Sequence, residues 1–92
     1  MTAPHASSQP PAVNHRMLAM LRAVDAGRAQ LTCSTEPDLF VDDMPCCDQF
    51  TARMLAHQGL IRPGRPGLPG QRVPAVLTTA GRALMTGAQT AA

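Results

Sequence analysis

The sequence predicts a single small domain of the α+β class. Three observations support this fold class. Apolar residues recur at helical spacing in separate segments, short apolar runs between those segments end at glycine or proline, and 92 residues suffice for one domain with a thin core. Only two residues are aromatic and six are methionine, so we expect a core of aliphatic side chains and methionine.

The chain divides into a central domain and two tails. Residues 1–13 are rich in proline, serine and alanine, which predicts a disordered N-terminal tail. The periodic segments predict a domain over residues 14–86, and the small, polar residues 87–92 are predicted to be a frayed C-terminal tail. No apolar run has the length of a membrane span or the pattern of a signal peptide, so we expect a cytoplasmic protein with no membrane partner.

The first helix is predicted over residues 14–26. Four apolar residues at helical spacing form one stripe on it: Met17, Met20, Leu21 and Val24. Asn14 is a suitable N-cap, and Gly27 is a natural residue to end the helix. The next segment, "AQLTCS", predicts a short strand, and "EPD" predicts a turn. The segment "LFVDDM" fits either one helical turn or a second strand paired with the first.

A second helix is predicted to begin near Asp43, with Pro45 in its first turn, and to end at Gly59. One side of it is predicted to be buried, and its residues at helical spacing are Cys47, Phe50, Thr51, Met54 and Leu55. The opposite side is predicted to be exposed, and it carries Gln49, Arg53 and His57.

The C-terminal part predicts a hairpin and a last helix. The segment "LIRPGRPGLPGQRVPAVLT" contains two strand-like runs around a loop that glycine and proline exclude from a helix. Pro63 and Pro74 suggest edge positions or irregular strand ends. The last helix is predicted to be capped by Thr78 or Thr79 and to end at Gly87.

This order of elements, together with "LAHQGLIRPGRPGLPGQRVPAVLTTAGRALM", resembles the C-terminal half of winged helix-turn-helix transcription factors of the MarR and PadR type. The residues that carry the resemblance are Leu55, Gly59, Leu60, Ile61, Leu77, Thr78, Gly81, Arg82 and Leu84. The resemblance covers about residues 45–86. It implies a small winged-helix domain made of a helix, a short strand, a helix, a two-stranded wing and a short C-terminal helix. Because only residues 35–44 remain for the second helix of that family, we expect that helix to be shortened or replaced by a strand.

The resemblance implies a DNA-binding protein that regulates transcription and contacts double-stranded DNA with the 45–58 helix and the 62–73 wing. Gln49 and Arg53 are of the residue types that reach base edges, and His57 can reach a phosphate. The wing residues expected to contact the DNA backbone are Arg62, Arg65 and Arg72. Residues 49–92 contain five arginines and no acid, which is a suitable charge for a polyanion. The family also implies a homodimer through its terminal helices.

Two other functions remain open at this point. Residues 36–48 contain five acidic side chains, and this segment is the alternative site for a protein partner. A thiol-based redox sensor is the other alternative, in which Cys33 pairs with Cys46 or Cys47. The cysteine and histidine spacing does not fit a metal site, and no pattern suggests a catalytic group or a cofactor, so we expect neither an enzyme nor a metalloprotein.

Overall fold

A computed structural model describes residues 14–91, with side chains for residues 14–87. The predicted N-terminal tail, residues 1–13, lies outside the described residues, as does Ala92. Helix α1 spans His15–Asp25. The Asn14 side chain accepts a hydrogen bond from the backbone N–H of Met17 (2.8 Å), and Gly27 follows the helix with a φ of +79°. The four stripe residues are all buried, so the prediction for this helix is confirmed.

Strand β1 spans Ala29–Thr32, β2 spans Leu39–Val41 and β3 spans Met44–Pro45. The ambiguous segment is therefore two strands, and β2 pairs with β1 in antiparallel register. A two-residue turn joins β2 to β3, and both of its residues, Asp42 and Asp43, have positive φ (54° and 66°). Positive φ at both positions is the geometry of a type I′ turn, whose twist matches that of the flanking strands.

Helix α2 spans Gln49–His57, with Asp48 as its N-cap. The predicted start near Asp43 was wrong, because Pro45 lies in strand β3 and not in the first turn of the helix. Proline fixes φ near the value of a helix start, but an edge strand accepts the same value. Gln58 is the C-cap of the helix, and Gly59 follows it with a φ of +73°.

Strand β4 spans Ile61–Pro63 and β5 spans Arg72–Leu77, which confirms a hairpin around the glycine- and proline-rich loop. Pro63 lies on an edge strand as expected, whereas Pro74 lies in β5, inside the sheet. The Pro74 carbonyl accepts from the Gly64 N–H (2.7 Å), on the β4 side of the strand. In an antiparallel strand, the N–H and C=O of one residue point to the same side. The N–H that Pro74 lacks would therefore point towards Gly64, just after the end of β4, and not towards β1. The hydrogen bonds between β5 and β1 are thus undisturbed.

Helix α3 spans Thr79–Ala91. The Thr78 hydroxyl accepts from the Gly81 N–H (3.0 Å), which confirms Thr78 as the cap. The helix does not end at Gly87, and its backbone continues through most of the predicted C-terminal tail. A glycine inside a helix costs only about 1 kcal/mol, which neighbouring turns offset. At Gly81, α3 approaches the chain before β4 so closely that a Cβ atom would lie 1.9 Å from the Leu60 carbonyl oxygen.

The five strands form one antiparallel sheet in the order β3-β2-β1-β5-β4, and the helices cover one of its faces. The α+β class is confirmed. The core lies between the sheet and the helices and consists of aliphatic and methionine side chains, as predicted: Met17, Met20, Leu21, Val24, Ala29, Leu31, Leu39, Ala52, Leu55, Leu60, Ile61, Ala75 and Met85.

Candidate nucleic-acid interface

The side chain of Gln49, the first residue of α2, is bound to the sheet. Its Oε1 accepts from the Leu39 N–H (2.8 Å), and its Nε2 donates to the carbonyls of Leu39 (3.0 Å) and Cys46 (2.7 Å). One amide thus joins α2 to β2 and to the residue that follows β3. The amide thus satisfies backbone hydrogen-bonding groups of Leu39 and Cys46.

Arg53 and His57 also contact the segment that leads into β2. The Arg53 guanidinium donates to the Asp38 carboxylate (2.5 Å), and the His57 Nε2 lies 3.0 Å from the Thr35 carbonyl oxygen. Glu36 lies 3.6 Å from the same His57 nitrogen. These contacts hold α2 against the loop between β1 and β2.

The orientation of α2 therefore differs from the predicted one. The stripe expected to be exposed faces the chain itself, because the segment before β2 lies along it. Of the five residues expected to be buried, only Leu55 is buried, and the Phe50 side chain is 79% exposed. Ala52 and Leu55 are the residues by which α2 enters the core. A helix with apolar side chains on two faces does not reveal by its own sequence which face is buried.

The start of α2 is fixed by a charged cap. Asp48 accepts from the hydroxyl of Thr51 (2.6 Å), from the Thr51 N–H (3.0 Å) and from the Arg16 guanidinium of α1 (2.9 Å). These hydrogen bonds, with the Thr51 hydroxyl contributing most, lower the pKa of Asp48 from 3.8 to about 2. The cap thus also joins the beginnings of α1 and α2.

The β4–β5 hairpin, which corresponds to the predicted wing, places its arginines in solvent. Arg62, Arg65 and Arg72 are all exposed. The Arg62 guanidinium donates a hydrogen bond of 3.3 Å to the Pro63 carbonyl. Arg72 lies with its guanidinium carbon 4.4 Å from the centre of the Phe40 ring on β2. This is a cation–π contact that spans strand β1, which separates β2 from β5.

The three described helices leave the second face of the sheet uncovered, and we call it the outer sheet face. Its side chains alternate with the buried ones along each strand, and it includes Gln30, Thr32, Phe40, Arg62, Arg72 and Pro74. Sequence reasoning missed Phe40, Gln30 and Thr32. The period-two alternation of "AQLT" and "LFV" is the signal that would have found them, once both segments are taken as paired strands.

A groove of about 530 Å³ lies beside the hairpin loop and is lined in part by Arg62, Arg65, Cys33 and Ser34. The loop backbone passes close to the thiol, because a Cβ atom on Gly67 would lie 2.9 Å from the Cys33 sulfur. The groove therefore combines two exposed guanidinium groups with a hydroxyl, a thiol and glycine backbone, a set of groups that suits an anion.

The structure does not bring the three cysteines together. All three thiols are free. The Cys46 N–H donates to the carbonyl of Leu39, and Leu39 lies opposite Leu31 on β1. Cys33 is two residues beyond Leu31 along the chain. Cys46 and Cys33 are therefore separated by two strand spacings across the sheet and by two residues along it. Strand spacing and rise place their α-carbons about 12 Å apart, beyond the reach of a disulfide. The predicted redox pairing therefore lacks its geometric requirement. Among residues 14–87, no cluster of potential ligands could hold a metal ion.

Ion pairs neutralise most of the charge outside the hairpin. The pairs are Asp25–Arg82, Asp38–Arg53, Asp42–Arg28 and Asp48–Arg16, and Glu36 lies 3.6 Å from the His57 Nε2 atom. Within the part of the chain whose side chains are described, four arginines have no carboxylate partner: Arg22, Arg62, Arg65 and Arg72. Three of these four belong to the hairpin. The unpaired positive charge is thus concentrated at one end of the sheet.

Comparison with known proteins finds no matching family model, no matching curated protein and no matching solved structure. No helix within residues 14–91 combines the length and the apolar character needed to cross a membrane.

Proposed function

We propose that this chain is a small DNA-binding protein, a derivative of the winged helix that regulates transcription and contacts DNA phosphates through its β4–β5 hairpin. The observation that carries the proposal is the set of three hairpin arginines that have no carboxylate partner among residues 14–87, Arg62, Arg65 and Arg72. Exposed guanidinium groups clustered on one hairpin are suited to the phosphates of a nucleic-acid backbone.

The topology is consistent with a modified winged helix. Helix α2 leads into β4, the hairpin returns along β5 beside β1, and α3 follows. This is the order expected from the resemblance to winged-helix regulators. The β2–β3 hairpin occupies residues 39–45, where that family has its second helix. We therefore assign DNA contact to the wing and not to a helix-turn-helix pair.

The contacts of α2 support the same assignment. The side chains of Gln49, Arg53 and His57 hold α2 against its own chain, and using any of them on a base would break those contacts. The cost is greatest for Gln49, because leaving its three part-buried hydrogen bonds unmade leaves backbone groups of Leu39 and Cys46 without that partner. The expected base contacts by this helix are accordingly replaced in our proposal by phosphate contacts from the hairpin.

A protein-docking role is the second candidate, and one observation favours it. Phe50 and Met44 are 79% and 68% exposed. Phe50 also lines a groove of about 460 Å³ with Met54 and the Glu36–His57 pair. Exposed apolar side chains beside a groove are typical of surfaces that bind other proteins. This groove adjoins the acidic segment 36–48, where the sequence places a protein partner.

The test is the salt dependence of binding to a labelled DNA duplex, measured by fluorescence anisotropy. Three phosphate contacts predict that a fourfold rise in salt, from 50 to 200 mM, weakens binding by about 40-fold. Replacing Arg72 by alanine removes one contact and lowers the slope of log K against log salt by about 0.9. Arg22→Ala is the matched control, because Arg22 has no carboxylate partner among the described residues and lies on α1, which packs on the sheet face opposite to Arg62 and Arg72.

Cysteine alkylation locates the bound DNA independently. Cys33 lines the groove beside the hairpin loop, whereas Cys47 is exposed just before α2. Bound duplex is expected to slow the reaction of iodoacetamide with Cys33 and to leave Cys47 unchanged, as measured by mass spectrometry of the peptides. The proposal is wrong if no duplex binds at 50 mM salt, or if Arg72→Ala and Arg22→Ala weaken binding equally.

A further inference from the structure

The guanidinium of Arg72 stacks on the ring of Phe40, and binding of duplex phosphates does not require this stacking. The Arg72 guanidinium carbon lies 4.4 Å from the centre of the Phe40 ring, so one face of the guanidinium contacts the ring. Arg72 is exposed and has no carboxylate partner among the described residues. A guanidinium without an ion pair on an open sheet face is a flat, positively charged surface available for stacking.

Flat groups continue across the sheet beside this pair. Phe40 lies opposite Gln30 on β1 and opposite Pro45 on β3, and Gln30 lies opposite Pro74 on β5. Partners in an antiparallel sheet point to the same side, so a phenyl ring, an amide and two proline rings form one row. Within residues 14–91 this row has no helix over it, because α1, α2 and α3 pack on the other face.

The amide in this row also has an unused acceptor. The Oε1 atom of Gln30 is buried and has no hydrogen-bond donor among the described residues. Such an acceptor is uncommon in a folded protein. Because the atom is buried, a ligand donor reaches it only when the side chains that cover it move aside.

We propose that the outer sheet face binds single-stranded DNA and stacks an unpaired base on the Phe40–Arg72 pair. This inference rests on the DNA-binding function proposed above and names the form of DNA that the site prefers. The charge of the surface selects the class of partner. The hairpin arginines beside the row attract a polyanion, and bases attached to that polyanion supply the flat groups that stack on Arg72.

A duplex cannot use the same contact. Its bases are stacked on one another and present only their edges, so a duplex meets this face with its phosphates alone. A single strand supplies both phosphates and accessible base faces. Stacking of one base is worth about tenfold or more in affinity, and it tolerates any sequence because every base has a π face.

The experiment compares three labelled ligands by anisotropy at one salt concentration: a thymine strand, an abasic strand of equal length and a duplex. The abasic strand keeps the phosphates and lacks the bases, so it isolates the contribution of stacking. We expect the thymine strand to bind about tenfold more tightly than the abasic strand. Phe40→Leu is expected to remove this difference without changing duplex affinity, because leucine keeps the apolar volume and lacks the ring.

The second phenylalanine provides a matched control. Phe50 is exposed on α2, away from the outer sheet face, so Phe50→Leu is expected to change none of the three affinities. Arg72→Lys is a second test variant, which keeps the charge and removes the flat group. Arg72 also contacts phosphate in the proposed function, so the readout is the ratio of thymine-strand to abasic-strand affinity, which this variant is expected to lower from about tenfold towards one. This variant carries the test if Phe40→Leu does not fold.

The outcomes separate this inference from the proposed function. Equal binding of the thymine and abasic strands, with the duplex still bound, overturns the stacking inference and leaves duplex binding in place. Equal effects of Phe40→Leu and Phe50→Leu overturn it as well. If none of the three ligands binds, both proposals fall.

Discussion

Replacing Gln49 by methionine tests how α2 is held to the sheet. Methionine has a similar length and favours the helix, but it cannot form the three hydrogen bonds of 2.7–3.0 Å that the amide makes with Leu39 and Cys46. At about 1 kcal/mol for each bond, the variant is expected to lose about 3 kcal/mol of its free energy of unfolding. For a domain of this size, that loss corresponds to a fall in Tm of roughly 12–24 °C.

The measurement is urea unfolding followed by circular dichroism at 222 nm, because the chain has neither tryptophan nor tyrosine for fluorescence. Gln58→Met is the control, since Gln58 is exposed at the other end of the same helix. A loss below about 0.5 kcal/mol, or a loss equal to that of the control, would refute the structural role of the amide. In that case Gln49 would be free to leave the sheet, and the base contact suggested by the sequence would regain support.

Three further predictions concern the cap, the close approach of α3 and the tight turn. The pKa of Asp48 is lowered to about 2 in the folded protein, so its carboxylate is protonated at a higher pH in the unfolded chain than in the folded one. Lowering the pH therefore favours the unfolded chain. The urea midpoint of the wild type is expected to fall between about pH 4 and pH 2 more steeply than that of Asp48→Asn; parallel pH profiles would contradict this. Gly81→Ala places a Cβ atom 1.9 Å from the Leu60 carbonyl oxygen and is expected to cost about 3 kcal/mol of stability in the same urea assay. Gly87→Ala, which meets no atom within 4 Å, is expected to add up to about 1 kcal/mol, and similar effects of the two substitutions would be inconsistent with the packing of α3. Asp43→Gly relieves a φ of 66° and is expected to raise the free energy of unfolding by about 1 kcal/mol, with no gain if the turn is not type I′.

Local signals were sufficient where the structure depends on nearby residues. The stripe of α1, its Asn14 cap and the positive φ of Gly27 all follow from the sequence around them. The hairpin of β4 and β5 was likewise predicted, because glycine and proline exclude other structures from its loop. The Thr78 cap of α3 belongs to the same class of local signals.

Distant contacts decided the features that were predicted wrongly. Whether Phe50 or Gln49 faces the chain depends on the path of residues 35–39, and nothing in the α2 sequence encodes that path. Pro45 fits a helix start or an edge strand equally well, so only pairing with β2 could decide between them. Predicting the outer sheet face, with Phe40 as part of it, required knowing that β2 lies beside β1. The exposed arginines of the candidate site were predicted because charge and hairpin position are both evident in the sequence.

The two prolines at the margins of the sheet have a consequence for self-association. Pro45 lies on β3 and Pro63 on β4, the two outermost strands, which are two and three residues long. Short strands with a missing N–H offer little to an incoming strand, so neither margin is a good template for adding another chain. The sheet is thereby protected from edge-to-edge aggregation although one of its faces is open. Addition of a strand at either margin is therefore an unfavourable way for another chain to bind this protein.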